Sequence, residues 1–211
     1  LHLSVGSAML SGGDIVAEAG HSVGKGGKVE IRSGGSDISS GGDVVLMSGK
    51  SQSQHSGMLT ISSHASPSVS GDISVSTGSS KKQSGNILLK TGQSTESAGS
   101  VSIFVGESNS GVSGSVVLGI GRSVPGQAGG NIVLKAGESR HEGGSISLTA
   151  GSSVGSTGGD IDLNTGKSAE GSSGQFMIAT ASSKDSFTGA INLITGRSSG
   201  KTSGEISLQT F

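Results

Sequence analysis

Three short fragments of this chain contain residues that phosphate-binding loops use. "GKS" occurs at 49–51 and at 166–168, and "GKT" occurs at 200–202. Such a loop needs another glycine five residues before its Gly-Lys pair, because backbone amides in between must cradle the phosphate. The chain has Val44, Ile161 and Thr195 at those places. We therefore expect the fragments to be turn residues and not nucleotide sites.

Aspartate and histidine are the other residues here that could do chemistry. Asp160 and Asp162 flank Ile161, and paired carboxylates can exchange protons or hold a cation. No other part of the chain repeats this pair, so solvated side chains are the favoured interpretation. Histidines occur without ligand spacing, at His2, His21, His55, His64 and His141. We predict no catalytic, cofactor-binding or metal site, and no enzyme.

The composition excludes several classes of protein. The chain has 40 Gly, four Phe and no Trp, Tyr or Cys. The lack of Cys excludes disulfides and thiol catalysis, and the lack of Trp and Tyr argues against an enzyme that stacks sugar rings. Glycine does not recur at every third residue, which excludes collagen. A net charge of −1 and the lack of a long apolar run predict no nucleic-acid partner and no membrane insertion.

A short repeated unit runs through the whole chain and argues against a disordered Gly/Ser linker. Its best copies are "GNILLKTGQS" at 85–94 and "GNIVLKAGES" at 130–139. The consensus is G-[DNS]-I-x-L-x-[TAS]-G-x-S followed by four to six polar residues, numbered here from the first glycine. Opening glycines stand at residues 13, 27, 42, 57, 71, 85, 99, 114, 130, 144, 159, 174, 189 and 204. Positions 3 and 5 are apolar in every copy, from Leu1 and Leu3 onward.

Three features of the unit predict its local structure. The period of two at positions 3, 5 and 7 predicts a strand with one buried face. Glycine at position 8, replaced only in His64, Ala181 and Phe211, is expected to end the strand with a positive φ. Serine at position 10, replaced only by Ala8, is expected to bond a backbone amide and fix the turn, as Ser94 should do.

These features predict an all-β fold, a parallel β-solenoid with a right-handed β-helix favoured, over residues 1–211 as a single repeat domain of about 14 units. One unit could close a flat two-walled coil, or three units could form a three-sided coil of about 44 residues. Every third unit is apolar at position 4, which favours three, although Val16 and Val117 depart from this spacing. The apolar residues at every third unit are Val45, Leu88, Val133 and Met177. We predict that these four form an outward-facing assembly interface.

The chain begins at position 3 of a unit, lacks an initiator Met and ends at position 8. We therefore expect a fragment of a longer repetitive chain whose coils continue end to end.

The units "GGSISLTAGSS" and "GGDIDLNTGKS" resemble Gly/Ser-rich repeats of large surface proteins of algae, protists and marine bacteria, and of some phage fibres. The resemblance implies an extracellular or cell-surface structural role and assigns no catalytic residue. We expect a structural protein that self-associates through stacked coils into a filament, surface layer or appendage. The alternatives are a trimeric virus or phage fibre shaft and a binding module. The binding module would be an adhesin stalk or an ice-binding protein, since ryegrass-type antifreeze coils have a similar length.

Overall fold

The computed structural model describes residues 2–6 and 12–210. The chain divides into two parts, Leu1–Phe104 and Val105–Phe211. Three residues to which the repeat assigned roles lie outside the described residues: Leu1, Ala8 and Phe211. Neither part contains an α-helix or a β-strand within its described residues.

The prediction of an all-β parallel β-solenoid is therefore wrong, and so are the right-handed β-helix and the three-unit coil. No described segment pairs with another in a ladder. The backbone–backbone hydrogen bonds of residues 2–6 and 12–210 are six that join the ends of loops and one that closes a turn. A period of two specifies which side of a segment each side chain occupies, but it does not supply a paired neighbour. Pairing register is weakly specified in glycine-rich segments, so the pattern alone does not produce a sheet.

Each repeat unit consists of an extended segment followed by a loop. Residue exposure alternates along several of the segments: Phe176 is 57%, Met177 77% and Ile178 59% exposed. Such alternation is the geometry of an extended backbone, whose successive side chains point to opposite sides. The ion pairs of Glu30 with Lys28 and Arg32 agree with it, because residues two apart then share a side. The period of two is thus present without the strand pairing that it predicted.

No side chain of the described residues is buried. The accessible surface is 22175 Å², against about 8,800 Å² for a folded monomer and about 30,000 Å² for an unfolded chain of 20.4 kDa. The predicted buried face of the extended segments is therefore absent from the single chain. Leu89 and Leu134 are 75% and 66% exposed, so a charge at either place meets water.

Candidate functional site

The serine at position 10 organises every described loop. All thirteen make a hydrogen bond to a nearby backbone group; they are Ser22, Ser36, Ser51, Ser66, Ser80, Ser94, Ser108, Ser123, Ser139, Ser153, Ser168, Ser183 and Ser198. The expectation for Ser94 is confirmed, since its Oγ accepts from the Glu96 amide at 3.2 Å. The recurrence of serine is explained by this bond, which replaces a backbone partner in the turn.

The repeat units come in two main lengths. In the units that we call short, the spacing in sequence between consecutive opening glycines equals that between Gly85 and Gly99. In the units that we call long, this spacing is one residue greater, as it is between Gly144 and Gly159. The unit that begins at Gly114 is one residue longer again. The additional residues always fall after position 10, so they change the loop and leave the extended segment unchanged.

Unit length decides which amide the serine binds. In short units the donor lies two residues on, as Glu96 does from Ser94. In long units it lies three residues on, as the Ser156 amide does from Ser153 at 3.0 Å. Ser51, in another long unit, accepts from the amides at both places, at 3.4 Å and 2.9 Å. An added residue therefore changes which amide donates to the serine. It leaves the pattern of positions in the extended segments unchanged.

The loop that starts at Gly121 shows how the serine behaves when no amide is present two residues on. Pro125 occupies that place and has no N–H. Ser123 instead donates its hydroxyl to the Ala128 carbonyl at 2.8 Å. Pro125 and Gly126, with φ of 84°, form a type II turn that the Gln127 amide closes onto Val124 O at 3.2 Å. This loop belongs to the longest unit, so the turn absorbs its additional length.

The opening glycine packs against position 7 of the preceding unit, a contact that sequence reasoning missed. A Cβ atom added to Gly144 would lie 3.1 Å from Gly137 N and 3.3 Å from Ala136 Cβ. Each of the fourteen opening glycines has such a neighbour within 4 Å. A Cβ atom would be crowded where this distance is short, as at Gly144, and would make an ordinary van der Waals contact at Gly71, Gly85, Gly99, Gly189 and Gly204. The small or β-branched residues at position 7 were the available signal.

The prediction for the glycine at position 8 is wrong. Within residues 2–6 and 12–210, Gly126 alone has a positive φ, and it does not stand at position 8. A Cβ atom added to Gly137 or Gly151 would meet nothing within 4 Å. Nothing in the structure explains the recurrence of glycine at position 8.

The four residues of the predicted assembly interface are exposed. Val45 is 67% exposed, Leu88 74%, Val133 79% and Met177 77%. Positions 3 and 5 are exposed too: Ile146 is 57% and Leu148 64% exposed. Each unit of the described residues therefore presents apolar side chains to solvent at positions 3 and 5. We call the residues at these two positions the apolar rows, after their recurrence along the sequence.

The fragments that resemble phosphate-binding loops are turn residues, as expected. Ser51 and Ser168 are position-10 serines, and the Lys201 amide donates to Ser198 Oγ at 3.0 Å. An open polar cleft of about 340 Å³ lies at this last loop. Its lining residues are Thr195, Gly196, Arg197, Ser198, Lys201 and Ser203. The lining has two cations and no carboxylate, so it offers no acid–base pair.

Asp160, Asp162 and the histidines are not gathered into a metal site. Across residues 2–6 and 12–210, no group of three or more His, Cys, Asp or Glu side chains is placed to hold a metal ion. No helix in the described part of the chain has the length and hydropathy needed to cross a membrane. Comparison with known proteins finds no matching family model, no matching curated protein and no matching solved structure.

Proposed function

We propose that this chain is a repetitive structural protein that associates with copies of itself, outside the cell or at its surface, to build a filament, layer or appendage. The observation that carries the proposal is the exposure of the apolar rows along the described residues. Exposed apolar surface that recurs over many units is typical of a surface that another molecule covers.

The energetics favour a partner that repeats as the chain does. Covering the exposed part of one Ile or Leu contributes roughly 1 kcal/mol. Two such residues recur in each of about 14 units, so the total exceeds the roughly 4–15 kcal/mol that association costs. A second copy carries its apolar residues at the same spacing, whereas an unrelated partner would match only a few units.

Charge also favours a second copy. The net charge is −1, from 14 basic and 15 acidic residues, so two copies meet little long-range repulsion. A protein with a net charge close to zero tends to associate. The apolar residues at position 4, such as Leu88 and Val133, lie on the opposite side of their segments from the rows. Units that carry them present apolar groups on both sides and are suited to contact two neighbours.

The experiment compares two double variants of one segment. Ile146→Asp with Leu148→Asp places two charges in the apolar rows. Ser145→Asp with Ser147→Asp places the same two charges, at the same spacing, on the other side of the segment. Sedimentation velocity over a concentration series and electron microscopy measure the assemblies. We expect the wild-type chain and the serine variant to form polymers, and the row variant to form smaller or fewer ones.

Two results would count against self-association through the rows. One is a wild-type chain that stays monomeric at every concentration. The other is equal assembly by the two double variants. Moderate salt should change the polymers little, and sulfate should strengthen them, because sulfate strengthens apolar burial.

A further inference from the structure

Six of the thirteen described loops are closed by a backbone strap. In each, the amide of the opening glycine donates to the carbonyl of position 8 in the preceding unit at 2.9 Å. The strapped pairs are Gly27 to Gly20, Gly42 to Gly34, Gly57 to Gly49, Gly144 to Gly137, Gly159 to Gly151 and Gly174 to Gly166. The other seven described loops lack this bond. Loop length does not separate the two groups, because each contains both short and long units.

The residue at position 7 does separate them, with two exceptions. Strapped loops follow Ala19, Ser33, Ser48, Ala136, Ala150 and Thr165. Open loops follow Ser63, Thr77, Thr91, Val105, Ile120, Thr180 and Thr195. Five of the six strapped loops thus follow Ala or Ser, and six of the seven open loops follow a β-branched residue.

The contacts at the opening glycine give the physical reason. In the open loop after Thr91, the atom nearest to a Cβ built on Gly99 is Thr91 Cγ2, at 3.6 Å. After Ile120, the corresponding distance from Gly130 to Ile120 Cγ2 is 2.7 Å. In strapped loops the nearest atoms are backbone atoms or Cβ atoms, as at Gly144. A γ-carbon in this place fills the space through which the glycine amide must approach the carbonyl.

One of the two exceptions agrees with this reason. Thr165 is β-branched, yet its nearest atom to a Cβ on Gly174 is its own Cβ at 3.3 Å, so its γ-methyl is turned away. Ser63 has no γ-carbon, and its loop is nevertheless open, so a γ-carbon does not account for this loop. A Cβ on Gly71 would lie 3.9 Å from Ser63 Cβ, which is a more distant approach than in the strapped loops.

We infer that the side chain at position 7 is a conformational device that sets whether the following loop is strapped or open. The device divides each part of the chain into stretches. In Leu1–Phe104, the loops from Gly20 to Gly57 are strapped and those from His64 to Gly99 are open. In Val105–Phe211, the strapped loops run from Gly137 to Gly174, with open loops on both sides. Strapped stretches hold consecutive segment ends at a fixed distance, and open stretches leave that distance adjustable. The inference stands on the loops alone and does not require self-association.

Reciprocal substitutions in two short units test the device. Thr91→Ala removes the γ-carbon beside Gly99, and Ala136→Val adds two γ-carbons at the place beside Gly144. Thr91→Val is the matched control, because it keeps the β-branched shape. Nuclear magnetic resonance measures the scalar coupling across the hydrogen bond, from the glycine amide nitrogen to the position-8 carbonyl carbon. The chain is kept at a concentration at which sedimentation shows a monomer.

We expect the Gly99–Gly92 coupling to appear in Thr91→Ala and to stay absent in wild type and Thr91→Val. We expect the Gly144–Gly137 coupling to be lost in Ala136→Val. Persistence of that coupling in Ala136→Val, or absence of the new one in Thr91→Ala, would overturn the inference. Either result is independent of whether the apolar rows mediate assembly.

Discussion

Most units carry glycine both at the opening position and at position 8, and the two glycines differ in their surroundings. In the strapped loops the opening glycine is favoured by close approach, because the backbone of the preceding unit lies beside it, as Gly137 lies beside Gly144. The glycine at position 8 faces open space, and its φ is not positive. One residue type at two fixed positions therefore does not imply one cause.

This difference makes a prediction for one loop. Gly144→Ala should break the bond from the residue-144 amide to Gly137 O, because the added Cβ would lie 3.1 Å from Gly137 N. Gly137→Ala should keep the bond, since its Cβ meets nothing within 4 Å. The temperature coefficient of the residue-144 amide shift distinguishes a bonded from a solvated amide. Equal coefficients in the two variants would contradict the proposed role of the opening glycine.

At the scale of the loop, the serine bond accommodates changes in unit length. Among the described serines, those of short units bind the amide two residues on, and those of long units bind the amide three residues on. Each bond is exposed and contributes about 1 kcal/mol or less, since water competes for both partners. Its effect is on the path of the turn more than on total stability.

Inserting one glycine after Glu96 tests this change of register. The insertion turns a short unit into a long one and leaves Glu96 two residues after Ser94. We expect the Ser94 bond to move from the Glu96 amide to the inserted amide, three residues on. Amide temperature coefficients of both residues report the move. A bond that stays on Glu96 would show that unit length does not control which amide the serine binds. Ser94→Ala removes the acceptor and supplies the reference for an unbonded amide.

For the whole molecule, the decisive fact is that an isolated chain buries no side chain among its described residues. A cooperative transition requires a core whose exposure changes the heat capacity. Local turns stabilised by single hydrogen bonds do not supply one.

We therefore expect a monomeric sample to lose its loop structure gradually on heating. Circular dichroism and calorimetry measure this loss at a concentration below that of assembly. The heat-capacity change on heating should stay far below the roughly 1.2–1.5 kcal/mol/K that a folded domain of about 100 residues shows. Assembled samples should show a transition that shifts with concentration. A sharp transition that is independent of concentration would contradict the absence of a core.

The sequence by itself determined the local structure of this protein. Three features follow from residues that are close together in the sequence. They are the repeat period, the alternation of side chains between the two sides of the segment at positions 3 to 5, and the role of Ser94 in its turn. The paired sheet did not follow, because Ile or Val every second residue specifies a side and not a partner segment. Only the tertiary structure showed that Ala136 and Gly144 meet, that Thr91 Cγ2 lies beside an open loop, and that the apolar rows remain exposed. Those facts depend on how consecutive segments approach one another after each loop, which no single unit of the sequence contains.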